Sequence, residues 1–147
     1  MESPNTLTRI SHDDPVMRGI TIVALLTIAA VHLLDLPDTI DSTLWIGIGY
    51  LAIIASAVSV AALLLHGSNR ATWLLAGVVA IAPLIGYLLT RTVGLPGDSA
   101  DIGNWGDQLG TVSLFTEALV VFVSVYGFGL ASRTQPVFFR QTTREAA

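Results

Sequence analysis

Residues 44–65, LWIGIGYLAIIASAVSVAALLL, run for 22 positions without a charged side chain. At 1.5 Å per helical residue such a run reaches about 33 Å, enough to cross the roughly 30 Å hydrocarbon layer of a bilayer. Lipid offers the backbone no hydrogen-bond partner, so a segment of this kind must be a helix. Three similar stretches flank it. Residues 71–90 are uncharged throughout, and residues 109–132 carry Glu117 as their only charge. The remaining span, 17–34, has an uncharged core over 19–34, short of the roughly 20 residues usually needed. Arg18 and Asp35 are therefore expected to snorkel at its two ends. Residues 1–147 thus read as one all-α domain, an integral membrane four-helix bundle, with residues 133–147 as a polar tail.

Composition agrees. The 147 residues are 52% hydrophobic and 12% charged, where a soluble domain carries about 25% charged residues. The absence of cysteine excludes disulfides, thiolate metal sites and cysteine nucleophiles. A net charge of −4 argues against nucleic-acid binding. There is no P-loop, GxSxG, HExxH or dinucleotide fingerprint, and the GLPG of residues 94–97 reads as a turn. No cofactor site is read, and the chain is expected to be non-enzymatic.

The arginines set the orientation. Arg9, Arg18, Arg70, Arg133, Arg140 and Arg144 fall on one side of the threaded chain. Arg91 falls alone on the other, with Asp35, Asp38, Asp41, Asp98, Asp101 and Asp107. Positive residues stay cytoplasmic, so both termini are expected inside, in a multi-pass protein of the plasma membrane. Span 17–34 is too long for a signal-peptide core, and His32, Asp35 and Pro37 follow where small cleavage-site residues would stand, so it reads as an uncleaved anchor. Residues 35–43 read as a short outer loop. Residues 66–70 form a shorter inner one, which predicts a tight hairpin of the second and third helices. The long outer loop, 91–110, reads RTVGLPGDSADIGNWGDQLG; a loop of that length is often functional. In the tail, Val137, Phe138 and Phe139 with Arg140 and Arg144 suit the inner membrane surface.

Membrane helices associate by close contact at small residues. The second helix offers Ala52 with Ser56, Ala55 with Ser59 and Ala57 with Ala61, as the centre of a bundle would. The third offers Ala76 with Ala80 and Ala82 with Gly86, and the fourth Gly127 with Ala131. Such faces also suit a membrane-protein partner or a homo-oligomer. Pro83 predicts a kink in the third helix. Trp45 and Trp73, each near a helix start, read as interfacial anchors, and Trp105 as part of an outer cap.

A carboxylate inside a span is costly unless paired or used. Glu117 lies about two turns, roughly 10 Å, inside the fourth helix, and the threading brings Ser113, Thr116, His32, Asp35, Arg91 and Tyr87 to the same outer half. Three readings fit. Glu117 pairs with Arg91, with His32 or Tyr87 donating hydrogen bonds, and locks the third helix to the fourth. Or Glu117 and His32 relay protons or bind a small cation or polar ligand, burial favouring the neutral acid and a nearby arginine the carboxylate. Or His32, Glu117 and a loop aspartate hold a metal, for which no spacing motif speaks. His32 and His66 fall near opposite faces and cannot ligate one haem; His12 and His66 read as solvated.

The block GYLLTRTVGLPG, then IGNWGDQLGTVSLFTE, resembles a group of small, functionally uncharacterised four-helix membrane proteins, mostly actinobacterial. In these a helix ending Arg-Thr-x-Gly-Leu-Pro-Gly leads through Gly-Asn-Trp and Leu-Gly to a helix bearing Ser-Leu and a Glu. The resemblance rests on Arg91, Gly94, Leu95, Pro96, Gly97, Gly103, Asn104, Trp105, Leu109, Gly110 and Glu117. It implies weight for the outer cap (Gly94, Pro96, Gly97, Asn104, Trp105) and for Glu117, and names no reaction. The leading expectation is an accessory, scaffold or assembly subunit of a membrane system. The alternative is a small transporter or a ligand or ion sensor using Glu117, His32 and Arg91.

Overall fold

The computed structural model describes residues 15–133. It is all-α, with helices α1 (Pro15–Ser42), α2 (Leu44–His66), α3 (Arg70–Thr92) and α4 (Gln108–Arg133). Each is long and apolar enough to cross a membrane. His12 and the tail's aromatic patch at Val137, Phe138 and Phe139 lie outside the described residues.

The second, third and fourth helices begin and end close to the expected positions. The first does not. It continues from residue 34 through Asp35 and Pro37 to Ser42, and the expected 35–43 loop shrinks to Thr43. A helical proline loses its own amide hydrogen bond, yet the turns beyond it hold. Thr39 Oγ1 donates to Asp35, Ser42 Oγ to the Thr39 carbonyl, and the Thr43 amide to the same carbonyl at 2.8 Å. Thr43 is extended (φ −148°, ψ 90°) and starts α2, its carbonyl accepting from Ile46 and Gly47. A Cβ at Gly47 would stand 2.5 Å from Ile40 Cγ1, so the corner requires glycine there.

Many large apolar side chains face outward. Phe115 and Phe122 are more than 70% exposed, while Thr21, His32, Ser113, Glu117 and Ser124 are buried. This inverts the soluble arrangement and suits a lipid surround. The apolar core is Ala24, Leu25, Ile28 and Ala29 of α1, Ala57, Val60, Ala61 and Leu64 of α2, Ala76 and Ala80 of α3, and Val120 of α4.

The packing corrects the expected centre. α1 lies along α2 and also against α4, and α3 lies along α4; α2 and α3, though joined by the shortest loop, touch less than any of these pairs. Of the small-residue pairs on α2, only Ala57 with Ala61 is buried. Ala52, Ala55, Ser56 and Ser59 are exposed. α1 is therefore the hub, because its one-residue joint forces α2 alongside it.

At the end bearing the 67–69 connection the bundle is closed. Trp73 is 3% exposed, not the interfacial anchor the sequence suggests. Its ring lies so close over Gly127 that a Cβ there would meet ring atoms at 2.5 to 2.9 Å. Arg18 does not simply snorkel; it donates to the Leu64 and Leu65 carbonyls, which end α2 without helical partners. Arg70 sits over the Phe128 ring. Asn69 and Thr72 form a reciprocal capping box at the start of α3.

Candidate functional site

At the opposite end α2 and α3 part, and a cavity of about 750 Å³ lies between the two helix pairs under the 93–107 loop. Its walls come from all four helices, and His32, Tyr87, Arg91, Ser113 and Glu117 all line it. The groups expected to converge do so. Thr116 is the exception and faces a shallow apolar groove beside α1.

Their partners differ from the expected ones. Arg91, 6% exposed, does not take Glu117. It ion-pairs with Asp101 and, at 3.0 Å, with Asp107, and lies 4.8 Å from the centre of the Tyr87 ring. The reason is local. Asp107 is the residue before α4, and its carboxylate accepts from the Leu109 and Gly110 amides as a helix N-cap. That fixes a carboxylate at the mouth, nearer the end of α3 than a residue two turns down α4. The lock between α3 and α4 therefore exists, made by Asp107.

The loop is a built cap. Leu95 and Asp98 exchange both backbone hydrogen bonds around Pro96 and Gly97, and Gly97 takes φ +84°, as the GLPG turn reading requires. The turn docks on the α1–α2 corner: Trp45 Nε1 donates to the Pro96 carbonyl at 3.0 Å and Thr43 Oγ1 to the Gly97 carbonyl at 3.3 Å. Gly94, at φ +76°, starts the loop; Asn104 donates to Asp101; and Trp105 meets Tyr87 edge-on. Gly110 leaves room for the Tyr87 ring, which contacts the position a Cβ would take. Burial, then the charge of Asp101, pushes Asp98 above the ordinary carboxylate range. Burial also acts upward on Asp101, but hydrogen bonds from Arg91 and Asn104 and the Arg91 charge outweigh it and hold Asp101 low.

Deeper in the cavity stand His32, Tyr50, Asp35 and Glu117. His32 Nδ1 bonds the Ile28 carbonyl at 2.9 Å. A carbonyl only accepts, so Nδ1 carries a proton and Nε2 is the variable nitrogen. The His32 ring meets Tyr50 edge-on at 4.7 Å, and Tyr50 donates to Asp35 at 3.1 Å. Glu117 is 1% exposed. Its Oε1 accepts from Ser113 at 2.6 Å, and its Oε2 is buried without a hydrogen-bond partner. Among the described residues no group of three His, Cys, Asp or Glu side chains is placed to hold a metal ion.

Small residues work differently here. No atom lies within 4 Å of a Cβ built on Gly49 or Gly86, and both line the cavity. Ala82 and Gly86, expected to pack helices together, instead leave space. Pro83 is buried in the same wall.

Sequence reasoning missed Tyr50 and the pairing role of Asp101 and Asp107. Asp107 carried a signal, an aspartate immediately before an apolar run. Tyr50 lies as far past Thr43 as Asp35 lies before it, within one residue, but that count has meaning only once Thr43 is known to be the whole turn.

The chain matches no protein-family model, no curated protein and no solved structure.

Proposed function

We propose that the chain is a ligand-binding protein of the plasma membrane, a small transporter or sensor, with the Glu117 cavity as its site. The observation that supports this is the unpartnered Oε2 of Glu117, buried in a cavity wall while the nearby arginine is committed to two other carboxylates. A buried acceptor without a partner costs about 1–3 kcal/mol, and more if charged. A carboxylate kept for structure would be paired; one kept for a ligand stays open until the ligand arrives. The arginine distribution favours cytoplasmic termini, which places the cavity in the outer half of the bilayer.

The test is labelling of the purified protein with dicyclohexylcarbodiimide, an apolar reagent that adds to protonated carboxyls in membrane interiors. Peptide mapping is expected to find the adduct on Glu117, and Glu117→Gln to remove it at an unchanged melting temperature. A folded protein with Glu117 unlabelled would refute the reading. Orientation is tested on the cysteine-free chain: cysteine at Ser99 should react with an impermeant maleimide from outside, and cysteine at Ser68 should not.

The exposed small residues Ala52, Ala55, Ser56 and Ser59 on α2 favour a second reading, an accessory subunit whose partner helix lies on that face. A stoichiometric polypeptide co-purifying in mild detergent, and lost on Ala55→Leu, would support it.

A further inference from the structure

The charge on the cavity wall is lopsided. Asp35, Asp38, Asp98, Asp101, Asp107 and Glu117 line it, against Arg91 as the one arginine. Asp101 and Asp107 already neutralise Arg91. The others make no ion pair among the described residues, and at Asp98 burial, with the charge of Asp101 added to it, pushes the carboxyl up. An anion is therefore repelled, and a neutral ligand without a hydrogen-bond donor would leave Glu117 as costly as before.

Among cations, size and coordination decide. Hard metal ions take six to eight oxygens, or an octahedral set. Among the described residues Ser113 is the only side chain that hydrogen-bonds Glu117, and no ligand cluster accompanies it. The cavity volume, about 750 Å³, lies in the roughly 300–1,000 Å³ range of sites for small organic ligands. Val31, Ile46, Ile53, Pro83 and Leu95 give it apolar walls, and Tyr50 brings an aromatic ring to the same side as Asp35. One open carboxylate, an aromatic ring and apolar walls fit an ammonium group on an apolar body.

Resting on the proposed ligand-binding reading, we infer that the cavity takes a monovalent organic cation, an amine or quaternary ammonium with an apolar or aromatic body, seating its charge at Glu117 Oε2. Asp98 and Asp38 attract it, and the apolar wall selects it over sodium or potassium.

The carbodiimide assay tests this on the full chain. Benzyltrimethylammonium should slow labelling of Glu117 at least tenfold. Sodium chloride at equal ionic strength and neopentylbenzene, the uncharged isostere, should leave the rate unchanged. Calorimetric titration should show benzyltrimethylammonium binding that Glu117→Gln weakens at least tenfold without lowering the melting temperature. Equal protection by sodium, or by the neutral isostere, would overturn the inference, as would labelling that the organic cation does not slow. Those failures leave Glu117 labelled, whereas failure of the underlying reading leaves it unlabelled. If Glu117→Gln did not fold, the protection experiment on the unaltered protein would decide alone.

Discussion

The two ends of the bundle use the same residue types to opposite effect. Toward the 67–69 connection, Gly127 admits the Trp73 ring and the helices close. Toward the 93–107 loop, Gly49 and Gly86 admit nothing, and the helices stand around a cavity. A small residue in a membrane helix is therefore not in itself a contact. It becomes one where a large side chain faces it, and a hollow where none does. The buried charges divide in the same way: Arg91 has two carboxylates, and Glu117 has one hydroxyl.

Substitutions can break this contrast, and the sharpest is Arg91→Met. Losing one side of a buried pair costs 3–5 kcal/mol. Because Asp101 and Asp107 are over a third exposed, the expected loss is about 2–3 kcal/mol, read as a fall in melting temperature in detergent. Combined with Asp101→Asn the losses should be non-additive, and combined with Glu117→Gln additive. Coupling in the second pair would mean that Arg91 and Glu117 do meet.

The closed end is tested by Gly127→Ala, which forces a methyl into the Trp73 ring. Overpacking of this kind costs about 1–3 kcal/mol, while Gly129→Ala, with nothing within 4 Å, should stay within about 0.5 kcal/mol. Equal effects would mean that Trp73 does not seal this end. Asn69→Ala removes the capping box and should cost about 1 kcal/mol at the closed end, leaving carbodiimide labelling unchanged.

Gly86→Ala sharpens the contrast in the other direction. Alanine is better than glycine in a helix by about 1 kcal/mol, and here the methyl enters open space, so stability should rise. A fall would mean that Gly86 is a contact after all.

Acid gives the smallest effect. Asp98 lies high, so falling pH protonates it first, in and above the usual range near 3.9, and relieves its cost. Asp101 lies low, so its contribution is intact above that range and is lost only as pH falls through its depressed value. Loop order, followed by Trp105 fluorescence, should hold or improve slightly down to about pH 4 and fail below it. Failure between pH 7 and 5 would contradict both directions.

Uncharged runs and their lengths were enough to find the helices, because a bilayer demands length and apolarity and little else. They were also enough to bring His32, Tyr87, Arg91, Ser113 and Glu117 to one level, since threading alone sets depth. Rotation and partner choice were not legible. Pro37 hid the true turn at Thr43, and with it the pairing of Asp35 with Tyr50. Nearness in sequence suggested a tight α2–α3 hairpin, although the corner at Thr43 had already bound α2 to α1. Arg91 drew Glu117 on paper because both sit in spans, while the nearer carboxylates stood in a loop whose shape depends on φ at Gly94 and Gly97.

The single-residue joint at Thr43 also bears on how the protein is made. Chains emerge N-terminal end first, and the α1–α2 interface, the most extensive in the bundle, is complete when His66 has been synthesised. The first half can therefore form as a finished helix pair, with Asp35, Asp38 and Asp41 at its corner. Trp45 and Thr43 wait there for the Pro96 and Gly97 carbonyls of a loop not yet translated. The cavity, whose walls come from all four helices, comes into being only when the second half arrives, so the last step of assembly is the one that builds it.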